Sequence, residues 1–210
     1  MKNNLPFCFI DFDGTINDCR IRLYQFFINN ASADHHPLLS LEEYWNLKRM
    51  GINEVRWINE KMDKSINEEE WSKKKIHEIE SLSYLKYDRL FPFSNNALLR
   101  LKNKYRIVLV TKRMSEENLI RQINDYGILS YFDDILCISG KETEKQDVVR
   151  NKYELSSSCI FVGDTEEDIR AGLELKCSTF FTLSGIRGMW ITRLFEGEQI
   201  HIIDSIDYLR

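Results

Sequence analysis

The alternation of apolar and polar residues changes character twice along the chain. Near the start, Phe7-Cys8-Phe9-Ile10 is an unbroken bulky apolar run, the pattern of a short strand covered on both faces of a parallel sheet. From 18 to 90 apolar residues recur at helical spacing instead. The stretch 18–29 carries Ile21, Leu23, Tyr24, Phe26, Phe27 and Ile28. Ser40-Leu41-Glu42-Glu43 has the form of a capping box and opens a helix that Gly51 ends. Two more helices are predicted over 53–63 and 68–84, the second strongly charged with Trp71, Ile76 and Ile79 as its inward stripe. The whole of 18–90 therefore reads as helix without strand. After Pro92 the pattern alternates: helix 95–104, strand 106–110, helix 115–126 stopped by Gly127, strand 135–138, helix 146–153, strand 159–162, helix 165–175, then strands 179–183 and 200–203. Together with the first strand this predicts an α/β fold with a doubly wound, mostly parallel, Rossmann-like sheet. Residues 1–17 plus 91–210 form its core domain, and 18–90 form an inserted helical domain.

Composition narrows the classes. With 210 residues, 43% hydrophobic and 30% charged, the chain can bury a sizeable core. A net charge of -4 and a pI near 5.7 argue against nucleic acid as a partner. The one basic run, Lys73-Lys74-Lys75, reads as the solvated face of a helix. No membrane span is expected, and the first apolar run stops at Ile10, too short for a signal peptide. Cys8, Cys19, Cys137, Cys159 and Cys177 are odd in number and set mostly in apolar stretches, which fits reduced core thiols and a cytoplasmic location. His35 and His36 are adjacent in a loop that offers no further ligands, so a metal site there is not expected.

Candidate chemistry gathers where strands end. Asp11-Phe12-Asp13-Gly14-Thr15 places two acids directly after the first apolar run. Extended residues two apart share a side, so both carboxylates can face one pocket. Gly14 permits a sharp turn and a close approach to a ligand, and Thr15 adds a hydroxyl and an amide. Asp and Gly are also ordinary turn residues, so this motif alone does not make a site. Likewise Asp164 and Asp168 could simply be acids favoured at a helix N-terminus.

Taken together the motifs resemble those of the haloacid dehalogenase-like hydrolases, of the kind with a helical cap inserted after the first motif. Four motifs match in order: Asp11-Phe12-Asp13-Gly14-Thr15; Thr111 at the end of Val108-Leu109-Val110-Thr111; Lys145 before a helix; and Gly163-Asp164-Thr165-Glu166-Glu167-Asp168. The resemblance spans nearly the whole chain and makes 18–90 a cap domain. It implies a phosphatase acting on a small phosphorylated metabolite, with Mg2+ as cofactor. Phosphoryl transfer needs an in-line nucleophile, a proton donor for the leaving oxygen and positive charge around the phosphoryl group. Asp11 would be the nucleophile and form an aspartyl-phosphate, and Asp13 the general acid and base. Thr111 and Lys145, with Gly14, Thr15 and Lys112, would bind the phosphoryl group. Asp11, the Asp13 carbonyl and Asp164 would hold the metal, with Asp168 supporting a metal-bound water or orienting Lys145.

Three points stay open at this level. Lys141 competes with Lys145 for the third motif, although only Lys145 directly precedes a predicted helix. Lys112 and Arg113 either add positive potential at the mouth of the site or are solvated. In the cap, Lys48, Arg49 and Arg56 either meet an anionic part of the substrate or are surface charges. A phosphomutase or phosphotransferase using the same intermediate is the nearest alternative, and a catalytically idle binding module is the alternative of another class. Dehalogenation has no use for Asp13 or Asp164.

Overall fold

A computed structural model describes residues 5–31, 39–62, 64–140 and 143–209. His35, His36 and Lys141 lie outside the described residues. The central element is a six-stranded sheet of β1 (Phe7–Ile10), β4 (Arg106–Lys112), β5 (Asp134–Ile138), β6 (Ile160–Gly163), β7 (Ser178–Thr182) and β8 (Ile200–Ile203). Its order is β5-β4-β1-β6-β7-β8, with every pairing parallel. Strand β1 lies between β4 and β6, where the winding reverses, and an open α/β sheet forms its ligand crevice at that point.

The apolar run of β1 serves two hydrophobic layers. Cys8 and Ile10 face a cluster with Leu98 and Leu101 of α6 (Ser94–Lys102) and Leu119 and Ile123 of α7 (Glu116–Asp125). Phe9 faces the opposite layer, with Val149 of α8 (Lys145–Lys152) and Ala171 of α9 (Glu166–Glu174). Successive side chains point to opposite faces, so a strand covered on both needs continuous apolarity.

Between β1 and β4 the chain forms α1 (Arg20–Ala31), α2 (Leu41–Arg49), α3 (Glu54–Met62), α4 (Glu68–Glu78) and α5 (Leu82–Leu85). These helices gather round a separate aromatic-rich cluster that includes Phe26, Phe27, Tyr44, Ile58 and Trp71. The expected capping box at Ser40 and Glu43 is formed.

Two expectations for 18–90 are corrected. The segment is not helix throughout: β2 (Asn17–Asp18) and β3 (Arg89–Leu90) pair antiparallel as a two-stranded ribbon where the helical segment leaves and rejoins the sheet. Strands of two residues are too short to register as alternation. The predicted helix over 68–84 is also broken, into α4 and α5. At the break the Glu80 carboxylate accepts the amides of Met114 and Ser115 at 2.9 and 3.1 Å, at the start of α7. An acid at a helix N-terminus satisfies free N–H groups there.

Candidate active site

The Asp11 amide donates to the Val162 carbonyl at 2.9 Å, which carries β1's registration one residue past the strand. The chain then turns. The amides of Thr15, Ile16 and Asn17 all donate to the Phe12 carbonyl, and Gly14 adopts φ +81°. A Cβ at Gly14 would lie 2.2 Å from an Asp164 carboxylate oxygen, and one at Gly185 would lie 2.0 Å from it. Both glycines therefore make room for that carboxylate. The Gly14 amide donates to Asn17 and the Thr15 amide to Phe12, so both serve the turn, while the Thr15 hydroxyl faces Asp164 at 3.5 Å.

Asp11, Asp164 and Asp168 are buried, and one carboxylate oxygen of each lies within 4.8 Å of the others. Lys145, the first residue of α8 and itself buried, places Nζ 2.6 Å from Asp11 Oδ1 and 2.6 Å from Asp168 Oδ1. Asp168 has a second role. Its Oδ2 accepts the Thr165 amide and hydroxyl in a capping box that opens α9. Asp168 therefore caps the helix with one oxygen and contacts Lys145 with the other. Asp164 Oδ2 accepts the Ile186 amide at 2.6 Å.

The electrostatics follow from this crowding. Burial pushes the Asp11 carboxyl up to about 7, against the pull of Lys145 and with Asp168 adding to the rise. Asp164 is raised well above the usual range by burial, then by Asp11 and Asp168. Burial disfavours the Lys145 ammonium, yet Asp11 and Asp168 outweigh it and hold the amine protonated. Three buried acids face one lysine, so protons or a cation must balance the rest, and once ionised they form a set of hard oxygen donors that fits a magnesium ion. Asp13 contributes no carboxylate oxygen to this group.

The Asp13 carboxylate is engaged elsewhere. Arg113 grips it with two bonds, Nε to Oδ2 at 2.8 Å and Nη2 to Oδ1 at 2.7 Å, and Arg22 Nη2 lies 2.8 Å from Oδ2. Asn17 donates to both Asp13 and the buried Asp88, which also accepts from Gln122 and lies 3.1 Å from Arg22 Nε. Burial alone would raise the Asp13 carboxyl, but the two guanidiniums overcome it and hold it well below the usual carboxylate range. Its members leave only separate local traces in the sequence, none of which joins them. Arg113 is a charge directly after the last residue of β4, and Arg22 is a charge four residues from Phe26 on the buried face of α1.

Asp11, Asp13, Thr111, Lys112, Lys145 and Arg22 line one cavity of about 200 Å³ at the carboxyl ends of β1 and β4. Lys112 is partly neutralised by Glu167 at 3.1 Å and Glu144 at 3.6 Å. The cap residues named from the sequence separate. Lys48 pairs with Glu54 at 3.2 Å beside a second cavity, described below. Arg49 is a tie between helix and sheet: Nη1 donates to the Leu183 and Gly185 carbonyls at 2.6 and 3.0 Å. Its own carbonyl accepts from the Gly188 amide and the Trp190 indole. Arg56 is exposed and bound to Glu60 on its own helix. The sequence reading missed Asp88 and Glu54, and it placed Lys75 with Lys73 and Lys74 on a solvated helix face; Lys73 and Lys74 are exposed, whereas Lys75 turns inward to Glu54 of another helix.

The family profile described as haloacid dehalogenase-like hydrolase matches residues 9–182. No curated protein sequence matches the chain. Among solved structures it is similar to one described as a predicted phosphoglycolate phosphatase from Haemophilus somnus, at 21% identity and TM-score 0.69, covering 98% of this chain and 96% of that one. It is similar also to a predicted phosphatase from Clostridium acetobutylicum, at 19% identity and TM-score 0.69, again covering 98% and 96%. A Bacillus subtilis protein described as a HAD-hydrolase and bound to magnesium aligns at 14% identity and TM-score 0.67, covering 98% and 96%. At these identities the likeness is one of fold.

Proposed function

This chain belongs to the haloacid dehalogenase-like hydrolases, and we propose that its reaction is the magnesium-dependent hydrolysis of a small phosphomonoester through an aspartyl-phosphate. The observation that carries this reading is the Lys145 ammonium bridging Asp11 and Asp168, with Asp164 beside them, at the end of the strand where the winding reverses. Asp11 is the nucleophile, and its Oδ2 is the oxygen left free by Lys145. It attacks phosphorus as the bond to the alcohol oxygen breaks. Water then attacks the aspartyl-phosphate, Asp13 takes its proton, and phosphate leaves with Asp11 restored.

Asp13 as held here is a carboxylate prepared to accept a proton. To serve the leaving oxygen it first takes up a proton from solvent, against the pull of Arg22 and Arg113, and passes it to that oxygen; the attacking water returns one to it in the second step. Thr111 and Lys112, which line the cavity, hold phosphoryl oxygens, and Lys145 fixes Asp11 and adds positive charge. Magnesium, held by Asp11, Asp164 and the Asp13 carbonyl, would offset the repulsion between carboxylate and phosphate dianion, ~4 kcal/mol for unit charges ~4 Å apart at an effective dielectric near ~20.

We assign 18–90 as the cap that covers this cavity, which favours a small metabolite over a polymer. No described helix is long and apolar enough to cross a membrane. The free cysteines fit a reducing cytoplasm. A panel of phosphorylated metabolites tests the function. Phosphate release with magnesium and none in EDTA is expected. A panel left intact overturns the reading, and isomerised esters without free phosphate would make the protein a mutase.

A further inference from the structure

Above the catalytic cavity the cap contains a second buried ionic group. Glu54, at the start of α3, accepts from Tyr44 Oη at 2.7 Å, from Trp71 Nε1 at 3.1 Å and from Lys75 Nζ at 2.8 and 3.0 Å. Lys48 Nζ lies 3.2 Å from the same carboxylate. Both lysines are largely withdrawn from water, with side chains 14% and 22% exposed, so two ammoniums share one carboxylate. Joining α2, α3 and α4 needs only one of them. The second adds a desolvated positive charge and repels the first. Burial, then the charge of Lys48, bring the Lys75 amine down to about 8 despite Glu54.

The pair opens onto a space. Lys48, Glu54 and Lys75 line a cavity of about 290 Å³, together with Glu68 and with Arg187, whose guanidinium is paired to Glu166. Arg187 directly follows Ile186, which lines the catalytic cavity and holds Asp164 with its amide. Lys75 also borders the cleft of about 510 Å³ between α4 and the sheet, whose wall includes Lys112 and Glu167, and both of these line the catalytic cavity too. The three spaces thus share walls: Lys75 borders the ammonium cavity and the cleft, and Lys112 and Glu167 border the cleft and the catalytic cavity. Each ammonium has three N–H donors, and Lys48 uses one contact on Glu54, so donors remain for a further acceptor.

We infer that Lys48 and Lys75 form the receptor for a second anionic group on the substrate, a carboxylate or a further phosphate at the far end of the phosphorylated alcohol. The inference rests on the phosphatase reading and narrows its substrate class to phosphomonoesters that carry another acid. That group would restore charge balance around Glu54 and make charge-assisted hydrogen bonds in a site shielded from water.

The test uses three esters of one alkyl chain: the plain alkyl phosphate, its ω-carboxylate and its ω-phosphate, with magnesium. The wild-type protein should favour one acid-bearing ester by roughly tenfold to a hundredfold in kcat/KM, the range expected for a hydrogen bond to a charged group. Which one it favours tells carboxylate from phosphate. Lys75→Met and, independently, Lys48→Met should each cut that preference at least about tenfold through KM. The control Lys73→Met, on the exposed side of α4, should keep it. Equal kcat/KM on the three esters, or a preference that survives both lysine variants, overturns the inference and leaves phosphatase activity standing. No hydrolysis of any ester overturns the phosphatase reading itself.

Discussion

At the scale of single residues, Lys145 has the most exacting position, since one ammonium serves two buried acids at 2.6 Å each. Lys145→Ala should lower kcat by about 10² to 10³, the cost of one preorganised charge, and Lys145→Arg should recover little because a planar fork does not fit a point contact. Asp11→Asn should remove turnover more completely, since loss of a nucleophile costs up to ~10⁶. Phosphate release by the purified variants, with folding checked by circular dichroism, decides this. A Lys145→Ala enzyme at a third of the parent rate would remove the lysine from the mechanism. The residues of this group were legible in the sequence because each sits at the end of a local element: an apolar run, a helix start, a strand followed by a turn. The clamp on Asp13 was not. Asp13 and Arg113 are 100 positions apart and Asn17 and Asp88 are 71 apart, and no local pattern records such a pairing.

At the scale of elements, the end of helix α2 is fastened to the segment that follows β7, and Arg49 makes the largest share of the bonds. Arg49 spends its guanidinium on the carbonyls of Leu183 and Gly185, and Trp190 lies against Gly51, where a Cβ would come within 2.5 Å of the ring. Arg49→Ala should release this tie, costing roughly 1.5–3 kcal/mol for the lost charged hydrogen bond. A urea melt should show the loss, and KM should rise more than kcat falls because substrate would have to organise the cap itself. An unchanged midpoint and unchanged KM would mean that the tie holds nothing. Strands and most helices could be read from their periods. The exceptions have physical reasons: Glu80 leaves its helix to serve α7, and the two-residue ribbon is too brief to show a period. The 3-10 helix Met189–Phe195, whose Trp190 indole donates to the Arg49 carbonyl, is too short to show a period.

At the scale of the whole molecule, the acids at the centre couple stability to pH and to metal. The folded pKa of Asp11, about 7, lies above the ordinary unfolded value of ~3.9. Its contribution is therefore stabilising below about pH 4 and is lost as pH rises through about 7, and Asp164 shifts in the same direction. In EDTA the melting temperature should fall between roughly pH 5 and 8. Magnesium binds the ionised acids, so its stabilisation should grow over the same interval, reaching ~2.7 kcal/mol at a hundredfold excess over Kd. Thermal melts at the two pH values, with and without magnesium, measure this. A magnesium increment no larger at pH 8 than at pH 5 would place the metal elsewhere.

The ribbon that joins the two parts of the molecule has a consequence for modular exchange. Asn17 and Leu90 are paired neighbours, so the inserted segment enters and leaves the sheet through adjacent positions, ~5 Å apart between Cα atoms. Such a seam invites transplantation, in which another cap is spliced between the same two strands to re-address the enzyme to a different ester. But Arg22 and Asp88 lie just inside the seam, and one grips Asp13 while the other grips Arg22. A graft cut at the ribbon would carry away half of the clamp on the proton-transfer residue. A transplant that changes only the substrate has to be cut beyond Arg22 in α1 on the way out and before Asp88 on the way back.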